Sequence, residues 1–241
     1  MMNFSEAKEA LRRHATPSNK EILQRFFKTG PGQYGEGDIF IGVKVPHIRG
    51  VARNYQKLPT SQTLKLLRSP VHEERLLALL ILIHQFNKGD ADTKGAIATL
   101  YLEHTRYTNN WDLIDVSAPN IIGKWLKDKD RTTLHALARS KNIWERRIAI
   151  IATLAFIRNG EVSETFRIAD ILLKDPEDLI RKATGWMLRE AGKRDIQALR
   201  NFLKTRHAVM PRTMLRYAIE RFPEEERQIY MKKRALCRSA A

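Results

Sequence analysis

The fold is decided by a short segment, Glu74-Arg75-Leu76-Leu77-Ala78, which returns in similar form as Arg146-Arg147-Ile148-Ala149-Ile150 and as Arg181-Lys182-Ala183-Thr184-Gly185. Each copy places a basic residue before a small or apolar run. If Arg75 is paired with Arg147, and Arg147 with Lys182, the separations are multiples of about 36 residues, and one such step from Arg75 reaches Trp111. A period of this length, filled by two helices, is typical of α-solenoid repeats of the HEAT or TPR kind.

Apolar residues recur at helical spacing elsewhere in the chain, for example at Leu76, Leu79, Leu80 and Ile83, and alternating strand patterns are nearly absent. Three glycines mark expected helix ends: Gly89, Gly160 and Gly192. We therefore predict an all-α fold, an α-solenoid whose concave face is the usual binding surface. An irregular all-α domain is the alternative.

The chain has 241 residues, of which 43% are hydrophobic, enough for one domain over residues 1–241. A glycine-rich loop at residues 29–38 interrupts the helical pattern, and a short basic tail is expected at about residues 232–241. The loop lacks Gly-Lys-Ser/Thr, so we interpret it as a surface loop rather than a nucleotide-binding P-loop. The net charge of +16 favours a polyanionic partner such as nucleic acid.

The sequence offers no support for a metal site or a disulfide framework. Cys237 is the only cysteine, and the seven histidines include no i, i+4 pair. We interpret His72, beside Glu73 and Glu74, as a solvated helix start. No signal peptide and no apolar run long enough for a bilayer are visible, so we expect a cytoplasmic protein without a membrane partner.

One segment differs from plain helical core: Asn110-Trp111-Asp112-Leu113-Ile114-Asp115. As a helix it places Trp111 and Asp115 on one face, about 5–6 Å apart at Cβ. An aromatic plane beside a carboxylate suits a ligand that is cationic or becomes cationic as it reacts. Taken singly, Trp111 fits a core position, Asp115 fits a cap or a partner of a base, and Asp112 fits a helix cap.

Two more groups complete a set of candidates. Trp186 follows Gly185, which removes side-chain bulk beside the indole, and Arg146 and Arg147 form a dense basic pair. Two indoles, one carboxylate and one guanidinium suit the breaking of an N-glycosidic bond, in which the sugar becomes oxocarbenium-like. A carboxylate near C1′ stabilises that charge, and an arginine holds a flanking phosphate.

The chain resembles the AlkD family of bacterial DNA alkylation repair glycosylases over roughly residues 18–221. The resemblance is carried by four segments: Phe40-Ile41-Gly42-Val43, Asn110-Trp111-Asp112-Leu113-Ile114-Asp115, Asn142-Ile143-Trp144-Glu145-Arg146-Arg147 and Lys182-Ala183-Thr184-Gly185-Trp186-Met187-Leu188-Arg189-Glu190. It implies a right-handed stack of HEAT-like two-helix repeats with a basic concave groove. It also implies a monofunctional enzyme that removes cationic N3- or N7-alkylated purines from duplex DNA without metal or cofactor.

The resemblance also implies roles for individual residues. Asp115 matches the catalytic carboxylate, Trp111 and Trp186 match the indoles that contact the lesion's deoxyribose, and Arg147 matches the groove arginine. The family's N-terminal aromatic falls at Phe26 or Phe27. The basic repeat positions Arg146 and Lys182 are further expected DNA contacts.

Two other functions remain open at the level of sequence. Some relatives of this fold lack the carboxylate and only bind branched DNA, and HEAT-like arrays also serve as protein-interaction scaffolds. Because Asp115 is retained, we favour an active glycosylase acting in base excision repair. Its expected partner is double-stranded DNA with alkylated purines, bound by a monomer associated with the nucleoid.

Overall fold

The structure, a computed structural model, describes residues 2–232; Cys237 and most of the expected basic tail lie outside the described residues. The helices are α1 (Phe4–Arg12), α2 (Pro17–Phe26), α3 (Val45–Asn54), α4 (Thr60–Leu67), α5 (His72–Lys88), α6 (Ala91–Glu103), α7 (Trp111–Ser117), α8 (Thr132–Ala138), α9 (Ile143–Ala152), α10 (Leu154–Arg158), α11 (Ser163–Ile171), α12 (Asp178–Arg194), α13 (Ile196–Arg206), α14 (Arg212–Ala218) and α15 (Glu224–Met231). The predicted all-α class is confirmed.

The chain divides into two compact units, one ending at Trp125 and the other beginning at Leu126. In the first unit α5 packs against α3, α4, α6 and α7. A π-helical turn, Pro119–Gly123, follows α7 and packs against α6. In the second unit α12 packs against α9, α13 and α14, and α8 packs against α9. Each unit is therefore built by packing a long helix, α5 or α12, among its shorter neighbours.

Local sequence explains where the helices begin and end. Side-chain oxygens of Asn3, Thr16, Asp90 and Asp195 accept hydrogen bonds from backbone N–H groups of the first turns of α1, α2, α6 and α13. Gly89 follows α5 as predicted. The predicted end at Gly192 is wrong, because α12 continues to Arg194 and a Cβ at Gly192 would lie 2.4 Å from Leu199 Cδ2.

The first turn of α5 is buried, although it consists of four charged or titratable residues, His72 to Arg75. The Glu73 carboxylate accepts hydrogen bonds from the backbone N–H groups of residues 41, 42 and 43, at 2.8 to 3.2 Å. The interpretation of His72 as a solvated helix start is therefore wrong. The His72 side chain contacts the carboxylates of Asp38 and Asp112 instead of water.

An arginine at the fourth position of α5, α9 and α12 fixes the register of the repeat. Arg75, Arg146 and Arg181 each donate to the backbone carbonyl six residues earlier, at Ser69 (3.2 Å), Ser140 (3.0 Å) and Asp175 (2.8 Å). The pairing of Arg75 with Arg147 and Lys182 is therefore wrong by one residue. Aligned hydrogen bonds identify the equivalent positions more reliably than a similar run of residue types.

The position in each helix changes which candidate residues correspond. Counted from the first residue, Asp115 of α7, Arg147 of α9 and Lys182 of α12 are each the fifth, although α7 has Ile114 and no arginine at the fourth position. Trp111 is the first residue of α7 and is equivalent to His72 of α5, rather than to the arginines. The carboxylate therefore occupies a repeat position that carries a base in the second unit.

Among the residues that the structure describes, no helix is long and apolar enough to cross a membrane.

We predict that Gly185→Ala destabilises the protein by about 1–3 kcal/mol through overpacking. An added Cβ would lie 2.5 Å from the Met214 carbonyl oxygen and 2.5 Å from Tyr217 Cβ, so α14 would have to move away from α12. Urea denaturation provides the measurement. The matched control is Gly50→Ala in α3, where a Cβ meets nothing within 4 Å and the helix gains about 0.5–1 kcal/mol. Equal effects of the two substitutions would contradict the close helix contact.

Candidate functional site

The indole of Trp111 lies among three aromatic rings of the N-terminal region. Phe27 stacks on it with a centroid distance of 5.3 Å, and Phe26 approaches edge-on at 5.9 Å. The Trp111 Nε1–H donates to the Tyr34 hydroxyl at 3.2 Å. Trp111 itself is half-buried, whereas Phe26 is 60% exposed. These rings form a surface, which we call the Trp111 shelf, in which Phe26 is the most exposed ring and Phe27 is buried.

The glycine-rich loop, residues 29–38, packs against this shelf. Tyr34 lies in a turn of this loop, and its hydroxyl donates to the Phe26 carbonyl at 3.4 Å. Gly35 permits the approach, because a Cβ there would lie 2.4 Å from the Phe27 carbonyl oxygen. Asp38, at the end of the loop, is buried. The loop is thus a wall of the candidate site.

A buried charge cluster lies beneath the Trp111 shelf. His72 Nδ1 is 3.0 Å from Asp38 Oδ2, and His72 Nε2 is 2.9 Å from Asp112 Oδ2. Arg75 makes a short ion pair with Asp38, and the Asn110 side-chain amide donates to Asp38 at 3.0 Å. We call these five residues the His72 cluster. It joins the glycine-rich loop, α5 and the N-terminus of α7.

The environment of the His72 cluster shifts two pKa values in opposite directions. Burial lowers the pKa of His72, but the charge of Asp112 and hydrogen bonds to both carboxylates outweigh burial, and the pKa is raised. Burial raises the pKa of Asp38, but the hydrogen bond from His72 and the charge of Arg75 outweigh it, and the pKa is lowered. Both shifts favour the charged forms.

The start of α7 orients Trp111 and Asp115. Asn110, rather than Asp112, is the N-cap of the helix, and its Oδ1 accepts from the Trp111 N–H at 2.8 Å. Asp115 lies one turn after Trp111 and is half-buried. Its negative charge acts on the buried Tyr101 hydroxyl, whose pKa is raised by burial and by Asp115.

The arginines of the basic pair have different surroundings in the second unit. Arg146 donates to the Asp175 carboxylate at 2.7 Å and to two backbone carbonyls, and its partner Asp175 is buried. Arg147 is only 5% exposed and donates from Nη1 to the Leu179 carbonyl at 2.7 Å. Both guanidinium groups are therefore tied to the N-terminal region of the following long helix.

Lys182 and Trp186 lie one turn apart on α12, and both reach the surface. Lys182 is exposed and forms an ion pair with Asp178 at 2.7 Å. Trp186 is half-buried and lines a cavity of about 460 Å³. The other residues that line this cavity are apolar or charged: Leu154, Ile157, Arg158, Glu190, Lys193 and Arg194. The cavity combines an indole wall with three cations.

Sequence reasoning named Trp111, Asp115 and Phe26 in the first unit but missed Tyr34 and His72. Tyr34 is the one aromatic residue of the glycine-rich loop, and that was an available signal. Nothing in the local pattern distinguishes His72 from a solvated histidine, because its partners Asp38 and Asp112 are 34 and 40 residues away.

Among the residues that the structure describes, no group of three or more His, Cys, Asp or Glu side chains is arranged to hold a metal ion.

The fold and the site define an all-α helical-repeat protein that carries an aromatic surface beside a carboxylate. Residues 7–222 match the family described as DNA alkylation repair enzyme, and the protein belongs to this family. Its fold is similar to that of a solved structure described as a predicted DNA alkylation repair enzyme from Enterococcus faecalis. The TM-score is 0.67, with 16% identity, over 88% of this chain and 98% of that one. No curated protein matches significantly.

We predict that the stabilisation by His72 is lost as pH rises through its raised pKa. Because the pKa of His72 is raised in the folded protein, its contribution is fully present below the unfolded pKa of about 6.5 and disappears as pH rises through the folded value. The measurement is the difference in unfolding free energy between wild type and His72→Gln, followed by urea denaturation from pH 6 upward. The difference should shrink with rising pH, and a constant or growing difference would contradict a buried imidazolium.

Proposed function

We propose that this protein is a DNA glycosylase that hydrolyses the N-glycosidic bond of cationic N3- or N7-alkylated purines in duplex DNA. The observation that carries the proposal is the pairing of the Trp111 shelf with Asp115 one helical turn away. Membership of the DNA alkylation repair family and the net charge of +16 support DNA as the partner. The enzyme acts without metal or cofactor, as a monomer in the cytoplasm on nucleoid DNA.

The proposed reaction needs a carboxylate and no strong general acid. The C1′–N bond breaks, and its electron pair leaves with the alkylated purine, which becomes neutral. Positive charge develops on the sugar, where the Asp115 carboxylate stabilises it. A water oxygen then bonds to C1′, and its proton passes to the carboxylate and on to solvent. The products are the free base and an abasic site.

The aromatic rings are proposed to stabilise the same positive charge that develops on the sugar. Trp111 contacts the deoxyribose of the lesion, and its ring quadrupole favours a cation. Phe26, exposed at the edge of the Trp111 shelf, contacts the DNA nearby. Trp186 is proposed as a second indole that contacts the bound DNA, and the cations of its cavity suit backbone phosphates.

The basic residues divide into two groups by their surroundings. Lys182, exposed on α12, suits a phosphate contact. Arg147 is proposed as a contact to a phosphate of the bound DNA, with its guanidinium held in place by the Leu179 carbonyl. Arg146, engaged with Asp175 and two carbonyls, supports the position of Arg147 from the preceding residue.

We predict that the wild-type protein releases 7-methylguanine or 3-methyladenine from methylated duplex DNA and that Asp115→Asn lowers this single-turnover rate about 10²–10³-fold. The amide keeps the shape of the side chain but loses the charge that stabilises the sugar cation. DNA affinity should stay equal or increase slightly, because one negative charge near the phosphates is removed.

The matched control is Asp92→Asn, an equal charge change at an exposed position in the first turn of α6. It should leave both rate and affinity unchanged. If the wild-type protein releases no base at saturating DNA, the glycosylase proposal fails. A DNA-binding protein without catalysis, the alternative, would then be favoured by tighter binding of the Asp115→Asn variant to branched or bent duplexes.

A further inference from the structure

The two ring nitrogens of His72 face acceptors only. Nδ1 is 3.0 Å from a carboxylate oxygen of Asp38, and Nε2 is 2.9 Å from a carboxylate oxygen of Asp112. A neutral imidazole has one N–H group and one lone pair, so it would place a lone pair against a carboxylate. An imidazolium donates to both. With only 1% of its surface exposed, His72 has almost no contact with water that would relieve a mismatch.

Charge balance leads to the same protonation state. The charged groups that face His72 are Asp38 from the glycine-rich loop, Asp112 from α7 and, across Asp38, Arg75 from its own helix. Two carboxylates and Arg75 alone leave one negative charge without compensation, which is unfavourable in a protein interior. The imidazolium makes the cluster neutral.

His72 is also in contact with the rings beneath Trp111. Its imidazole stacks on Phe40 at 4.4 Å and lies 5.1 Å from the Phe27 ring, which in turn stacks on Trp111 at 5.3 Å. The loop residue Tyr34, four residues before Asp38, accepts a hydrogen bond from the indole N–H of Trp111. A displacement of His72 is therefore transmitted to the indole through the loop, through α7 and through the ring stack.

We propose that His72, as an imidazolium, is the positioning residue of the candidate site: it fastens the glycine-rich loop to the first turn of α7 and so fixes the orientation of Trp111 and of Asp115 one turn further on. This inference rests on the proposed function for its catalytic consequence. The position of the indole is a separate consequence and can be measured without any reaction.

Three variants separate positioning from bulk stability. In His72→Gln, the NH₂ group of the side-chain amide can donate to one carboxylate, but its carbonyl oxygen then faces the other carboxylate, and these two acceptors repel each other. In Asp112→Asn, a neutral imidazole is fully bonded, because it donates to Asp38 and accepts from the new amide. The double variant His72→Gln with Asp112→Asn also satisfies each contact, since Gln donates to Asp38 and accepts from Asn, and it carries no titrating group at position 72.

The first readout is the single-turnover excision rate at saturating DNA. His72→Gln is expected to lower it about 10²-fold, as for a displacement of about 1 Å in a catalytic constellation, with DNA affinity within a few-fold of wild type. The double variant is expected to recover most of the rate. Asp112→Asn is expected to lower the rate less than His72→Gln does, because its neutral imidazole keeps both hydrogen bonds. A side chain that only stabilises the fold would change the unfolding free energy and leave the rate of the folded protein unchanged.

The second readout is NMR of the protein alone. In wild type, both ring nitrogens of His72 are expected to be protonated at a pH above the ordinary histidine pKa of about 6.5. In Asp112→Asn, His72 is expected to be neutral at that pH. Hydrogen exchange of the Trp111 indole N–H is expected to be faster in His72→Gln and restored in the double variant. As pH rises through the raised pKa of His72, the wild-type rate should fall with the loss of the His72 proton, a dependence that Asp112→Asn abolishes.

The proposal is overturned if His72 titrates at or below the ordinary histidine pKa of about 6.5, if His72→Gln keeps the wild-type rate and indole exchange, or if the double variant recovers neither. If His72→Gln does not fold, the wild-type and Asp112→Asn spectra still decide the protonation state. Their pH profiles then decide the positioning role. If wild-type protein releases no base, the glycosylase proposal fails by itself, while indole exchange continues to test the position of Trp111.

Discussion

The rest of the candidate site depends on one buried interaction, the placement of His72 between the carboxylates of Asp38 and Asp112. A charged histidine inside a protein is costly unless its partners and hydrogen bonds are complete, and here each ring nitrogen has one carboxylate. The interaction joins a glycine-rich segment, which has little core of its own, to the first turn of α7. That loop thereby becomes a fixed wall beside Trp111.

The repeat supplies the second constraint. An arginine at the fourth helical position bonds the carbonyl six residues earlier in α5, α9 and α12, so these helices begin in the same register. The next position carries Leu76 in α5, Arg147 in α9 and Lys182 in α12, and the fifth residue of α7 is Asp115. A carboxylate in α7 thus stands at the helix position that carries a base in α9 and α12, and a carboxylate suits a cation-stabilising site.

The helical spacing and the family resemblance predict the all-α fold and the candidate pair Trp111 and Asp115. These features could be predicted because they depend on residues that lie close together in the sequence. The predicted register of the repeat is wrong by one residue. In sequence the basic residues 146 and 147 look equivalent, and only the hydrogen bond from Arg146 to the Ser140 carbonyl distinguishes them. His72 could not be identified, because its role is created by partners distant in sequence. Tyr34 belongs to the same class of long-range contact, with Trp111 lying 77 residues away.

We propose that Asp115, one helical turn from Trp111, stabilises positive charge on the sugar. A direct measurement compares the affinity of the wild-type protein for two duplexes: one with a pyrrolidine abasic analogue, cationic where the sugar charge develops, and one with its neutral tetrahydrofuran counterpart. We predict that the cationic analogue binds at least about 10²-fold more tightly, as expected of a transition-state mimic, and that Asp115→Asn removes the preference. Equal affinity of the wild-type protein for both duplexes would contradict the claim.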